Sequence, residues 1–452
     1  MAEEWVNSSD LHLELSGSGS RRAQLMHAVR EAIRSGRLAP DARLPSYRAL
    51  AVDLGIARNT VAEAYAELVA EGWLTARQGS GTRVAQRAAP PPPVRRAVPS
   101  PGRRPVHDLA PSSPDASAFP RAAWVASARR ALSAAPSAAF GPGDPRGRVE
   151  LRRALADYLT RARGVRTDAE RIVICAGFAH GLRLLGEILP GTVAVESYGL
   201  SFHRDLLKRT VPLVVDERGA VVAGLSGSGA AAVLLTPAHQ YPMGGPLHAG
   251  RRAEVVDWAR ATGGLILEDD YDGEFRYDRQ PVGALQGLDP ERVVYLGSAS
   301  KSLSPALRLG WMVLPDRLID DVLAVKGSRE FWSGVPDQLT LADFIACGAY
   351  ERHLRAMRRT YRRRRDHLVD AVTVPVSGIA AGLHAVLDLP AGTETATLLA
   401  CRRFGVAVDG LSPYRHPDST MPHRDGLVVG YGTPAEHAFA AALDALCRAL
   451  PE

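Results

Sequence analysis

Between Arg171 and Pro315 the chain repeats one pattern, a short apolar run followed by a polar stretch. The runs are RIVICAG (171–177), TVAVE (192–196), AAVLLTP (231–237), GLILEDDY (264–271), VVYLGS (293–298) and WMVLP (311–315). Helically spaced stretches such as HGLRLLGEIL and GRRAEVVDWARA separate several of them. Short strands alternating with helices imply an α/β domain built on a mostly parallel sheet, with its functional site at the strand ends. From Tyr350 onward a long basic helix (HLRAMRRTYRRRRDHLVDAV) comes first. The segments GIAAGLHAVLDL, GVAVDG, LVVGYG and a terminal helix follow it and predict a smaller α+β lobe over about 350–452.

A chain of 452 residues exceeds one ordinary core. Its division falls in AQRAAPPPPVRRAVPSPGRRP, which is rich in proline and arginine and has no periodicity. Proline-rich chain of roughly 20 residues reaches about 60 Å in polyproline geometry. The predicted organisation is therefore a first domain over 1–84, a linker over 85–106 and the α/β domain over 107–452.

In the first domain, Leu25, Met26, Val29 and Ile33 mark an amphipathic helix that stops at Gly36. Ser46 can cap a second helix ending at Leu54-Gly55, and a third runs from about Ala57 to Ala70, burying Val61, Ala64, Tyr65 and Leu68. WLTARQGSGTRVA then alternates about Gly79-Ser80-Gly81 as a hairpin. Three helices and a hairpin make a winged helix-turn-helix (α+β). Such a unit meets double-stranded DNA with the first turn of its third helix, here Arg58, Asn59 and Thr60, supported by Arg48 on the helix before. Charge agrees with that partner: residues 1–105 carry 15 arginines against 10 acidic residues, most of the chain's net +6.

No run of about 18 uncharged apolar residues occurs, and the first ten residues are acidic and polar, so no membrane partner and a cytoplasmic location are expected. Four widely spaced cysteines give no zinc or disulfide pattern and are expected to be reduced and mostly buried.

Of 55 basic residues only Lys208, Lys301 and Lys326 are lysines. A chain that has otherwise turned to arginine keeps a lysine mainly where guanidinium cannot serve, as in a Schiff base, or where drift has left one. Lys301 stands in GSASKSLSPALRLGW, with Ser298 and Ser300 before it and Arg308 after it, groups able to hold a phosphate. Gly177, Phe178 and Ala179 lead from a strand into a helix, where backbone amides can also meet phosphate. Asp269, at the end of another strand, can keep a pyridine nitrogen protonated, and Tyr271 can bond a ring hydroxyl. The turn TPAHQYPMGG, with His239, can edge the ring.

LPSYRALAVDLGIARNTVAEAYAEL with EGWLTARQGSGTRV resembles the DNA-binding domain of the GntR family of bacterial regulators, and TPAHQYPMGG, LEDDYDGEFRY and GSASKSLSPALRLGW resemble the MocR type, which joins that domain to a fold-type I aminotransferase. The resemblance implies pyridoxal 5'-phosphate (PLP) as cofactor, with Lys301 as its Schiff-base lysine. It implies Asp269 at the pyridine nitrogen, Tyr271 at the ring oxygen, and Arg308 with Ser298 and Ser300 at the phosphate. DNA contacts are implied at Ser46, Arg48, Arg58, Asn59, Thr60 and the wing tip Gln78-Gly79. A head-to-tail, domain-swapped homodimer is implied as well. Three positions depart from the family pattern. Ala57 replaces the usual serine or threonine. Leu200 stands where a ring-stacking aromatic is usual, so either Tyr198, two residues earlier, substitutes for it or the stacking is weaker. Gly426 takes the place of an arginine that grips a substrate carboxylate, with Arg424 nearby. The function implied is a PLP-dependent transcriptional regulator sensing PLP, an amine or an amino acid, and serving vitamin B6 or amino-compound metabolism. The other reading is a working aminotransferase with an auxiliary winged helix.

Overall fold

The computed structural model describes residues 13, 15, 19–77, 81–86, 105–111, 113–277, 282–327 and 333–451. Its contacts divide the chain into two units, Met1–Arg103 and Arg104–Glu452.

In the first unit, helices Arg21–Arg34, Tyr47–Leu54 and Arg58–Ala70 precede the antiparallel strands Leu74–Arg77 and Gly81–Val84, paired Leu74 to Val84 through Arg77 to Gly81. Each helix buries the stripe that its apolar spacing marks. Leu25, Val29 and Ile33 of the first pack with Leu50 of the second, Val61, Tyr65 and Leu68 of the third, and Leu74 and Val84 of the strands. The Ser46 hydroxyl accepts from the Ala49 amide at 3.2 Å, and Gly55 ends the same helix in left-handed geometry (φ 62°). Ala57 caps the third helix without any side-chain hydrogen bond. Gln78 and Gly79, and the linker over 87–104, lie outside the described residues.

The second unit is built on a seven-stranded sheet. Its order is Ile172–Cys175, Gly310–Val313, Val293–Ser298, Leu265–Asp269, Ala230–Leu235, Thr192–Glu196, Thr210–Leu213. All neighbours are parallel except Gly310–Val313, which is antiparallel to both strands beside it. Helices Phe178–Ile188 and Ala249–Thr262 belong to two separate apolar layers against this sheet, the burial on both faces that a parallel sheet requires.

The 23-residue helix Ala349–Ala371 leads into a smaller lobe with a four-stranded sheet, in which His384–Asp388 pairs with Gly426–Gly430 along its length. The chain's earlier part also enters this lobe: His107–Asp108 runs parallel to Val406–Ala407, and the Gly430 amide donates to Leu109. All four cysteines are free; Cys175 and Cys401 are buried, whereas Cys347 is exposed. Among the described residues, no helix is long and apolar enough to cross a membrane.

Candidate functional site

The carboxyl ends of the parallel strands open into a cavity of about 290 Å³. Its wall includes Phe178, Ala179, Tyr198, Asp269, Tyr271, Ser298, Ser300, Lys301 and Arg308, drawn from four strand ends and the turns after them. Gly177, at φ 93°, caps the helix whose first residues, Phe178 and Ala179, belong to that wall. A Cβ there would come within 3.5 Å of the Arg308 guanidinium, and a Cβ on Gly310 would strike the Gly177 backbone at 2.7 Å. Two glycines thus let the helix start and the arginine share one pocket. Arg308 itself is left-handed (φ 50°), an uncommon conformation for a side-chain-bearing residue that concentrates at functional positions. The Ser298 hydroxyl accepts from the Ser300 amide at 3.4 Å, holding both serines in that turn. Helix amides, two hydroxyls and a guanidinium are groups able to receive a phosphate.

Asp269 is buried, and its Oδ1 has no hydrogen-bond partner. Burial, then the charges of Asp270 and Asp272, push its carboxyl well above the usual range, with Lys301 opposing. Asp270 is fixed by the fully buried Arg163, whose Nε donates at 2.7 Å and Nη2 at 2.8 Å, and by the Tyr295 hydroxyl at 2.8 Å. A buried carboxylate oxygen without a donor is what a protonated pyridine nitrogen satisfies. For Lys301, burial pulls the amine down to about 8, against Asp272 and Asp269, so a neutral nucleophilic form is accessible near neutrality. The donor set fits PLP.

The Tyr271 hydroxyl meets His239 Nδ1 at 2.9 Å, and the same nitrogen meets Asp272 Oδ2 at 2.8 Å. His239 is therefore a support for Tyr271 and is not part of the cavity wall; in its turn Tyr241 reaches the wall instead. Tyr198 is fully buried among Tyr241, Met243, Val386, Leu411 and Tyr414, in a cluster shared by the two lobes.

The wall also holds residues that the sequence did not single out. Glu196 accepts from Thr236 Oγ1 at 2.5 Å, and burial raises its carboxyl to about 7. On the single helical turn Ser201–Arg204, His203 packs its ring 4.7 Å from Phe178. Burial, then the Lys301 charge, lowers His203 to about 3 and keeps it neutral. Arg204, from the same turn, also lines the cavity. By contrast Arg424 is committed elsewhere, to Asp388 at 2.6 Å and Ser377 at 3.3 Å, and is not part of this wall.

Beside the cavity the lobes are clamped. The His416 amide donates to Ser197 (2.7 Å) and the Gly199 amide to Tyr414 (2.9 Å), with Tyr198 and Arg415 bridged antiparallel between them.

In the winged helix, Ser46, Arg48, Arg58 and Asn59 are exposed and Thr60 is half-buried. Arg58, Asn59 and Thr60 form the first turn of the third helix, where the exposed side chains of Arg58 and Asn59 are suited to phosphate and base edges.

Residues 21–84 match the family of bacterial regulatory proteins, gntR family, and residues 225–420 match aminotransferase class I and II. The chain is 34% identical over 432 residues to the HTH-type pyridoxine biosynthesis transcriptional regulator PdxR of Corynebacterium glutamicum, covering 91% of this chain and 92% of that protein. It is 32% identical to the probable rhizopine catabolism regulatory protein MocR of Rhizobium meliloti, over 90% and 89% of the two chains. The kynurenine aminotransferase of Pyrococcus horikoshii shares the fold of the second unit, with TM-score 0.69, 23% identity, and 77% of this chain and 91% of that one covered. A gntR-type reader, an aminotransferase-like domain and relatives that align over about nine-tenths of both chains place the chain in one group: it belongs to the MocR/PdxR family of HTH-type transcriptional regulators.

Proposed function

We propose that the cavity is the sensor of this regulator, reading PLP or an amine that reacts with it, and that the reading alters how the winged helix holds promoter DNA. The observation that carries the proposal is the partnerless Asp269 oxygen in one cavity with Lys301 and the Arg308 phosphate receptor, within a chain that also holds a DNA reader. When bound, PLP supplies an electrophilic aldehyde and an electron-withdrawing ring. The chain's own residues then divide the work. Lys301 offers the amine, Asp269 holds the ring nitrogen's proton, Tyr271 meets the ring oxygen with His239 behind it, and Arg308, Ser298 and Ser300 with the Gly177 turn hold the phosphate. Neutral His203 offers a flat ring on the wall where Leu200 cannot stack.

A ligand in this cavity touches Tyr198 and Gly199, the large-lobe half of the clamp, so occupancy and lobe geometry are linked. We further propose that the protein acts in the cytoplasm as a homodimer. Because the Corynebacterium relative is named for pyridoxine biosynthesis, we place this chain's targets among vitamin B6 genes.

The test is an electrophoretic shift on the DNA upstream of its own gene, with and without PLP, for wild type and Lys301→Ala. The wild type should show a visible cofactor absorbance and a PLP-dependent shift, and the variant should lose both. A cofactor absorbance that survives in Lys301→Ala overturns the site. Steady transamination without promoter binding assigns the chain to catalysis instead.

A further inference from the structure

Tyr271 has one hydroxyl proton and two places to give it. One is the ring oxygen of a cofactor in the cavity, whose wall includes Tyr271; the other is Nδ1 of His239, 2.9 Å away. Burial, then the charge of Asp272, pushes the phenol well above its ordinary range, so the proton stays on Tyr271 and the hydroxyl serves as a donor. Its direction is decided by the next residue, Asp272, which the cofactor reading leaves unused. Asp272 Oδ2 lies 2.8 Å from the same Nδ1, its Oδ1 has no partner, and the side chains of Asp272 and His239 are both buried. A carboxylate only accepts, so it calls for a proton on Nδ1, and a ring nitrogen that carries a proton offers Tyr271 no lone pair. Gly382, left-handed at φ 75°, passes so close to the pair that a Cβ there would strike Asp272 Oδ2 and the His239 ring. The pair is therefore packed, and each member depends on the other for its hydrogen bond.

We propose that Asp272 is a positioning residue for the cofactor's ring oxygen: by keeping a proton on Nδ1 of His239, it withholds that nitrogen from Tyr271 and turns the Tyr271 hydroxyl proton into the cavity. The ring oxygen then meets a donor whose direction is set before the cofactor arrives. Asp272 serves the cofactor without touching it, a task distinct from that of Asp269, which meets the ring nitrogen. This inference rests on the reading of the cavity as a PLP site.

The test uses full-length protein loaded with PLP, as wild type, Tyr271→Phe, Asp272→Ala and the double variant. The readout is the pH midpoint of the cofactor's visible band, which follows the proton shared by the Lys301 nitrogen and the ring oxygen. A ring oxygen that loses its donor holds that proton more tightly, so the midpoint should rise. Asp272 also acts by charge on Asp269, Glu274, Tyr277, Lys301 and Tyr431, and His239 acts so on His384. Those influences are shared by the tyrosine and phenylalanine backgrounds, so the double-mutant cycle cancels them. Asp272→Ala should raise the midpoint by about one pH unit more in the tyrosine background than in the phenylalanine background, the size of a hydrogen bond to a charged group. Equal shifts in the two backgrounds overturn the role of Asp272 and leave the cofactor reading intact. A wild type without a visible band overturns the cofactor reading, and this inference with it. Should Asp272→Ala fail to load, long-range proton–nitrogen correlation spectra of loaded wild type labelled at its histidine nitrogens decide, with the His239 signal identified by its loss in His239→Gln. A proton on Nδ1 supports the proposal, and a bare Nδ1 overturns it.

Discussion

The DNA reader and the cavity invest their functional side chains in opposite ways. In the winged helix, Arg48, Arg58 and Asn59 are exposed, and that unit's core is made from the opposite helix faces, Leu50, Val61, Tyr65 and Leu68. Around the cavity, Asp269, Tyr198 and Asp270 are buried and interlocked with residues that also hold the sheet and the lobes together. A surface that reads DNA can therefore change its contacts with little effect on folding. A cavity that holds a small molecule cannot, because its groups keep their positions and protonation through the same packing that stabilises the domain.

The difference is sharpest at Arg163 and Asp270, whose side chains are 1% and 0% exposed. Arg163→Met leaves Asp270 buried with Tyr295 as its remaining side-chain donor, and breaking such a pair costs about 3–5 kcal/mol. Denaturant unfolding of the full chain should show that loss, with cofactor affinity falling alongside it because Asp269 is next to Asp270. A loss below about 1 kcal/mol would place this site with ordinary surface ion pairs and dissolve the contrast.

At the other end, Arg58→Ala should weaken promoter binding by about 1–3 kcal/mol if the side chain reads a base edge. If it meets a phosphate instead, binding should weaken evenly across sequences and the slope of log affinity against log salt should fall by about one. In either case the unfolding midpoint should stay where it is. A shift in stability as large as the shift in affinity would show that the DNA surface is not separable from its core.

The same contrast explains what the sequence revealed. The three helices, the hairpin strands and the central sheet were legible because local periodicity and glycine punctuation specify them: Gly55 and Gly177 lie where helix ends and starts were read. Lys301, Asp269 and Arg308 stood out because each chemistry tolerates few residue types. His203 and Arg204 were not legible, since the turn that carries them has only four residues and shows no period. The clamp was hidden for another reason: Arg204 and Tyr414 lie 210 residues apart, and no local pattern encodes such a meeting. In TPAHQYPMGG the motif was visible, but which ring faces inward depends on the turn's geometry, and Tyr241 rather than His239 reaches the cavity.

The smallest effect tests the separability of the DNA reader from the favourable side. Ala57 has the extended backbone of a helix cap, φ −66° and ψ 139°, yet no side-chain acceptor serves the first turn of the third helix. Ala57→Ser adds a hydroxyl able to take the Thr60 amide, as Ser46 takes the Ala49 amide one helix earlier. A cap of this kind contributes about 0.5–1 kcal/mol, so the winged helix should unfold at a slightly higher denaturant concentration. Because this residue borders Arg58 and Asn59 without entering the core, DNA affinity should stay equal or rise, since the new hydroxyl also stands where a phosphate oxygen can reach it. A fall in affinity would mean that the helix N-terminus needs its amides uncapped to receive phosphate, which would make the alanine a functional choice and tie this surface to its backbone as closely as the cavity is tied to its core.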